Sequence, residues 1–155
     1  MKIIEQFLKE ARSFEKKDSV KCLVYCPDGC ILIMRRQMGE GGEGQWDIPG
    51  GAIEKGENEQ DALRRETFEE SGLKINNLKK VKSVKFKIPE KGIDSMMHIY
   101  KADSEGIDVK LKPANWEGSG GRAEHIEIKW IQKKIDLENL PMIKELKDVV
   151  MSQLK

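Results

Sequence analysis

A helix marked at both ends, between Asn58 and Gly72, constrains this chain more than any other feature. Asn58 stands where a side-chain oxygen caps a first turn, with Asp61 three residues on, and Gly72 stands where a chain leaves a helix. Within the span, Glu66, Glu69 and Glu70 fall at i, i+3 and i+4, which places three carboxylates in one stripe. Like charges at this spacing repel by a few tenths of a kcal/mol per pair on an exposed helix, and by more when desolvated. A divalent cation between them removes the conflict. Oxygen donors with no His or Cys nearby favour Mg²⁺ or Mn²⁺ over zinc. By itself the triplet reads first as a solvated acidic face, and its neighbours decide between the two readings.

The elements around this helix alternate between two periodicities. Ile3, Ile4, Phe7, Leu8, Ala11 and Phe14 recur at helical spacing, so residues 1–17 are expected to form an amphipathic extension ahead of a main domain over 18–155. That extension either packs on the domain or makes a homodimer contact. Ser19 to Cys26 and Cys30 to Arg36 are strand-like runs joined by a turn at Pro27-Asp28-Gly29. Gly39 to Gly44 is a glycine-rich loop, either a flexible connector or a substrate-closing lid, and it lacks the Gly-Lys-Ser/Thr ending of a Walker loop. Trp46 to Ile53 is a short apolar stretch broken by Pro49-Gly50-Gly51. After the helix, Lys79 to Ile88 and Ser95 to Ala102 predict strands around a turn at Pro89 to Gly92, and Glu124 to Ile131 alternates like another strand. Leu140 to Leu154 predicts a closing helix, with Ile143, Leu146, Val150 and Leu154 on one side.

Composition excludes several classes. A chain of 155 residues has the size of one domain. Its 28 Lys and Arg against 27 Asp and Glu leave a net charge of +1, so no global field draws it to a membrane or a nucleic-acid polymer, and neither is expected as a partner. No apolar run approaches the length of a bilayer span, and Glu5, Lys9 and Glu10 interrupt any signal-peptide core, so a cytoplasmic location is expected. Cys22, Cys26 and Cys30 match neither a disulfide framework nor a zinc knuckle and read as reduced thiols. His98 and His125 have no companion at metal-ligand spacing.

From Gly51 the chain reads Gly, five residues, Glu57, seven residues, then Arg65-Glu66-Thr67-Phe68-Glu69-Glu70-Ser71-Gly72-Leu73. This resembles the box of the Nudix hydrolases, Gly-x5-Glu-x7-Arg-Glu-U-x-Glu-Glu-x-Gly-U, where U is a bulky aliphatic. Thr67 departs from the pattern at the first U. It keeps a methyl group for packing, so a small stability cost is expected rather than lost activity. The resemblance implies an α/β fold: an α/β/α sandwich with a mixed sheet between the box helix and the C-terminal helix.

It also implies roles. Glu66, Glu69 and Glu70 become metal-site carboxylates, with Glu70 the foremost ligand and the Gly50 carbonyl its companion. Glu57 and Arg65 become a structural ion pair. Glu66 is the leading general base, with Glu69 or a loop carboxylate as the alternative. Glu124, six residues before Trp130, resembles an extra metal-site Glu of a family member that cleanses oxidised nucleotides, although Glu117 and Glu127 compete with it. Arg36, ahead of Arg35, is placed to grip phosphate. Trp116 either stacks on a base or anchors its loop, whereas Trp46 and Trp130 read as packing. The implied reaction is Mg²⁺-dependent attack of water on a phosphoanhydride in a nucleoside diphosphate linked to another group: an NTP, a damaged NTP, ADP-ribose or a nucleotide sugar. The competing class is a Nudix-fold module that binds a nucleotide without cleaving it.

Overall fold

The computed structural model describes residues 18–37, 44–88, 92–111 and 125–155. The expected N-terminal helix, the glycine-rich connector, Pro89, Trp116, Glu117 and Glu124 lie outside them.

Among the described residues, seven strands form one mixed sheet. They are β1 (Ser19–Tyr25), β2 (Ile31–Arg36), β3 (Trp46–Asp47), β4 (Gly50–Ala52), β5 (Ile75–Ile88), β6 (Ile93–Ser104) and β7 (His125–Ile131), and three helices accompany them, α1 (Glu59–Ser71), α2 (Ile135–Glu138) and α3 (Lys144–Gln153). The order is β3-β2-β1-β6-β5, with β4 added on β1 and β7 on β2. The β1–β6 pairing is parallel and its register runs from Ser19↔Met97 to Tyr25↔Asp103.

One irregularity creates the site. β1 and β2 pair in register only at Tyr25↔Ile31, next to their turn, and then part. The segment 46–52 enters the opening, with β3 pairing β2 and β4 pairing β1. Gly50 is required there by close approach, because a Cβ would overlap the Val20 carbonyl oxygen and sit 2.8 Å from Lys21 Cα.

The sheet divides two apolar layers. Val20, Cys22, Val24, Leu32 and Met34 face Ala62 and Leu63 of α1. Leu23, Ile31, Ile33 and Ile99 face Leu146 and Val150 of α3. The box helix and the C-terminal helix therefore cover opposite faces, as strands with both faces buried require. Helix α1 begins where the Asn58 side chain accepts the Asp61 N–H at 2.8 Å, and it stops where Gly72, at φ +73°, donates to Phe68 O.

Three expectations need correction. The closing helix starts at Lys144, not Leu140, because Pro141 O accepts the Trp46 N–H at 2.7 Å and Met142 bridges Trp46, which holds the preceding residues extended. A one-turn helix, α2, precedes it without having been expected. Strand β5 begins at Ile75 rather than Lys79, and it passes Asn76-Asn77 by a register shift with Asn77 at φ +54°. The cysteines are free thiols; burial pushes Cys22 up to about 12. Among the described residues no helix is long and apolar enough to cross a membrane.

Candidate active site

Packing separates the three stripe carboxylates of α1. The buried stripe of the helix runs through Leu63, Thr67 and Glu70. Glu70 therefore sits in the core-facing row at 7% exposure, while the side chains of Glu66 and Glu69 are 16% and 43% exposed. A carboxylate does not remain in such a row without partners. Glu70 Oε2 accepts the Gly50 N–H at 3.1 Å, so the residue expected to offer its carbonyl meets Glu70 through its amide. Gly51 supports Glu66 in turn: a Cβ on Gly51 would lie 2.6–2.7 Å from the Glu66 carboxyl atoms. The Gly50-Gly51 step is the floor on which both carboxylates rest.

Arg65 organises the exposed side. Its Nε and Nη2 hold the two Glu57 oxygens at 2.8 and 2.9 Å, Nη2 also donates to Ala52 O, and Nη1 reaches Glu66 at 2.9 Å and Glu69 at 3.4 Å. The guanidinium thus ties the loop to the helix. It holds Glu57 well down, to about 2, with help from the Glu54 N–H. The Glu57 and Glu66 contacts raise Arg65 against the effect of its burial.

A second charged group lies across the opening, and the sequence reading did not anticipate it. Lys21 Nζ donates to both oxygens of Asp47 at 2.9 Å, Asp47 Oδ1 also accepts the Ile48 N–H at 2.8 Å, and Arg36 Nη1 lies 3.4 Å from Asp47 Oδ2. Burial pushes Lys21 down, but Asp47 and then Glu70 outweigh it and leave the ammonium firmly protonated. Burial pushes Asp47 up, and Lys21 and Arg36 more than reverse that. His125 adjoins this group; its burial lowers it to about 4, and its Nε2 has no hydrogen-bond partner among the described residues. The signal was available in the sequence: Lys21 and Asp47 are lone charges inside apolar runs, and buried charges come in pairs.

Arg36 is on the site side through Asp47, whereas Arg35 Nε lies 3.6 Å from Glu127 Oε1. Trp46 is buried at 4% exposure and Trp130 is half-buried against the α1 layer. His98 bonds Ser83 Oγ and Asp18.

The residues present suit a hard divalent cation. The donors are all oxygen, their charge exceeds that of the one guanidinium beside them, and the glycine floor keeps space open at Glu66 and Glu70. Among the described residues no three acids, histidines or cysteines converge as a finished cage. Arg65 holds Glu66 and Glu69, and Glu70 turns to the Gly50 amide.

Comparison with known proteins agrees with this geometry. The model of the NUDIX domain matches residues 15–146. The oxidized purine nucleoside triphosphate hydrolase of Danio rerio is 29% identical over 128 residues, 83% of this chain and 71% of its own. The RNA pyrophosphohydrolase of Bartonella henselae is 28% identical over 145 residues, 81% of this chain and 79% of its own. In fold, a MutT protein of Methanosarcina mazei superposes with a TM-score of 0.71 at 24% identity, covering 90% of this chain and 94% of its own. A box helix laid on a split mixed sheet and a family match along most of the chain lead to one conclusion: this protein belongs to the Nudix family, as one of its hydrolases.

Proposed function

We propose that this Nudix hydrolase is a Mg²⁺-dependent pyrophosphohydrolase, with Mn²⁺ able to substitute, that cleaves a phosphoanhydride in a nucleoside diphosphate linked to another moiety. The observation that carries the reading is the seating of Glu66 and Glu70 on the Gly50-Gly51 floor, beside an arginine that orders their loop. Glu70, Glu66 and Glu69 would hold the cation, with Glu124 and the Gly50 carbonyl as further donors. A bound divalent cation neutralises phosphoryl oxygens and orients water, without which a diphosphate resists attack at neutral pH.

The remaining work falls to side chains. Glu66 takes the proton of the attacking water at a carboxylate oxygen, and Glu69 is the alternate base. Arg36, aimed by Asp47, offers its other donors to a phosphate, with Arg35 behind it and Trp116 available to stack on a base. Glu57 and Arg65 keep the loop and helix in register. The similar proteins include an oxidized purine nucleoside triphosphate hydrolase and an RNA pyrophosphohydrolase, so oxidised nucleoside triphosphates and RNA head the substrate list, ahead of ADP-ribose and nucleotide sugars.

The test is product-resolved turnover of that panel with Mg²⁺. Glu70→Gln is expected to lower kcat by about 10³-fold or more while the protein stays folded, the loss expected when charge stabilisation at the transition state goes. A fully active Glu70→Gln enzyme overturns the assignment. Saturable nucleotide binding without turnover in either Mg²⁺ or Mn²⁺ moves the protein to the silent binding class.

A further inference from the structure

The net charge of +1 conceals a segregation. Residues 54–70 hold seven acids against three bases, whereas Gly72 to Ile88 hold six lysines and no acid. Strand β5 carries Lys79, Lys80, Lys82, Lys85 and Lys87 along the outer edge of the sheet. Lys80 is engaged, at 3.0 Å from Glu59 and beside the Tyr100 ring. The other four are exposed and make no ion pair with a described residue.

Lysines on an edge strand have an ordinary explanation, since they discourage pairing with another chain. That explanation does not cover Lys101. It lies on β6, which is paired on both sides, and its register partner is Lys79. Like charges directly opposite across a ladder are destabilising. They line one groove of about 500 Å³, with Tyr25 and Asn77 beside them, where the β5 register shift occurs. An anion between the two ammonium groups removes the repulsion, as a cation does for the α1 carboxylates. Asp103 shares the groove but accepts the Asn77 amide at 3.0 Å.

The other lysines divide between the two faces of the sheet: Lys82, opposite Ile99, lies with Lys79 and Lys101 on the α3 side, and Lys85 and Lys87 lie with Lys80 on the α1 side, so the row passes round the free edge of β5 toward the α1 site. Successive same-face lysines, Lys85 and Lys87, are about 7 Å apart along the strand. Register places Val84, next to Lys85, opposite Met97, Met97 opposite Ser19, and Ser19 opposite Ala52 of the site strand β4. Three strand spacings separate the lysine row from β4, about 14 Å, which a few nucleotides span. We propose that the edge formed by β5 and Lys101 is a docking surface for single-stranded RNA whose 5′ phosphoanhydride end lies in the α1 site. The choice of an RNA end rests on the pyrophosphohydrolase reading; the anion track does not. RNA is favoured over inorganic polyphosphate because Tyr25 lines the groove and offers a ring on which a base, but not a phosphate, stacks.

The experiment measures fluorescence anisotropy of a labelled 5′-triphosphate RNA 12-mer, in EDTA, across a salt series. It compares wild type with the variant Lys79→Gln, Lys82→Gln, Lys85→Gln, Lys87→Gln, Lys101→Gln. Wild type is expected to bind with a log–log salt slope of about −3, from four or five neutralised phosphates. The variant should bind at least tenfold more weakly with a slope near zero, while keeping wild-type melting and wild-type mononucleotide turnover. Equal RNA affinity in the two proteins overturns the proposal. So does stronger competition by polyphosphate or by phosphatidylserine vesicles than by unlabelled RNA at equal phosphate. Loss of mononucleotide turnover in wild type, with RNA binding intact, sinks the catalytic reading and leaves the track standing.

Discussion

Two charged groups face each other across the opening in the sheet, and they are balanced in opposite ways. Around Arg65, one guanidinium serves Glu57, Glu66 and Glu69, with Glu54 at 3.6 Å. Around Asp47, one carboxylate serves Lys21 and Arg36. The first group is short of positive charge and partly open to solvent; the second is buried and supplied with more cation than its carboxylate needs. The difference separates work from support. On the proposed function, a group that accepts a metal ion keeps unspent negative charge, while a group that holds β1, β2 and β3 together at the opening satisfies its charges internally. Lys21 joins the two, since it is bonded to Asp47 and feels the field of Glu70.

The largest expected effect breaks the supporting group. Asp47→Ala leaves Lys21 buried without its counter-ion, a change that costs about 3–5 kcal/mol when one member of a buried pair is removed. Urea denaturation of Asp47→Ala, Lys21→Met and the double variant should show the double recovering much of that loss. Additive losses instead would mean that the pair does not act as a unit.

Next in size is a pH effect at His125, which lies against the same group. Folding lowers its imidazole from 6.5 to about 4 because burial disfavours the cation. Between those values the unfolded chain binds a proton that the folded chain does not, so stability rises with pH across the window. The contribution is complete above pH 6.5 and is lost as pH falls toward 4, to the extent of at most about 3 kcal/mol. Asp47, held below its usual value, acts in the same direction at lower pH. Denaturation midpoints in EDTA at pH 7 and 4.5 measure this, and His125→Gln should flatten the difference. An unchanged slope in that variant assigns the effect elsewhere.

The Arg65 group is tested by adding a divalent cation. Mg²⁺ at about a hundred times its dissociation constant should stabilise wild type by about 2.7 kcal/mol, read as a rise in Tm. Glu66→Gln combined with Glu70→Gln should abolish the rise and, by relieving repulsion, leave the metal-free protein at least as stable as wild type. A metal response that persists in the double variant places the ion away from α1.

These contrasts show what could be read from residues alone. The α1 helix, its caps and the box spacing are local, and Asn58, Gly72 and the Arg65–Glu57 spacing speak for themselves within a few turns of chain. Separation of Glu70 from Glu69 by burial required the sheet, because helical spacing gives a stripe but not the side on which the core lies. Lys21 and Asp47 were missed for a similar reason: 26 residues separate them, and only the parting of β1 from β2 brings them together. The late start of α3 depends on Trp46, far away in sequence, which holds Pro141 and Met142 extended. Net charge was the least informative reading, since opposite excesses on α1 and β5 cancel in the sum.

The smallest expected effect concerns Thr67, one turn before Glu70 on the sheet-facing stripe of α1. Thr67 replaces the bulky aliphatic residue of the box pattern and is fully buried beside Cys22. Its hydroxyl has no hydrogen-bond partner of good geometry among the described residues, and a thiol is at best a weak one. The charged groups show that this fold supplies partners to buried polar atoms where they serve the opening, so an unserved hydroxyl here is a cost without a role. Thr67→Val keeps the β-branched shape, exchanges the hydroxyl for a methyl group, and should raise stability by about 1 kcal/mol, with kcat and KM unchanged. A Thr67→Val protein that melts lower than wild type would show that the Thr67 hydroxyl is satisfied through Cys22, and that this face too is polar by design.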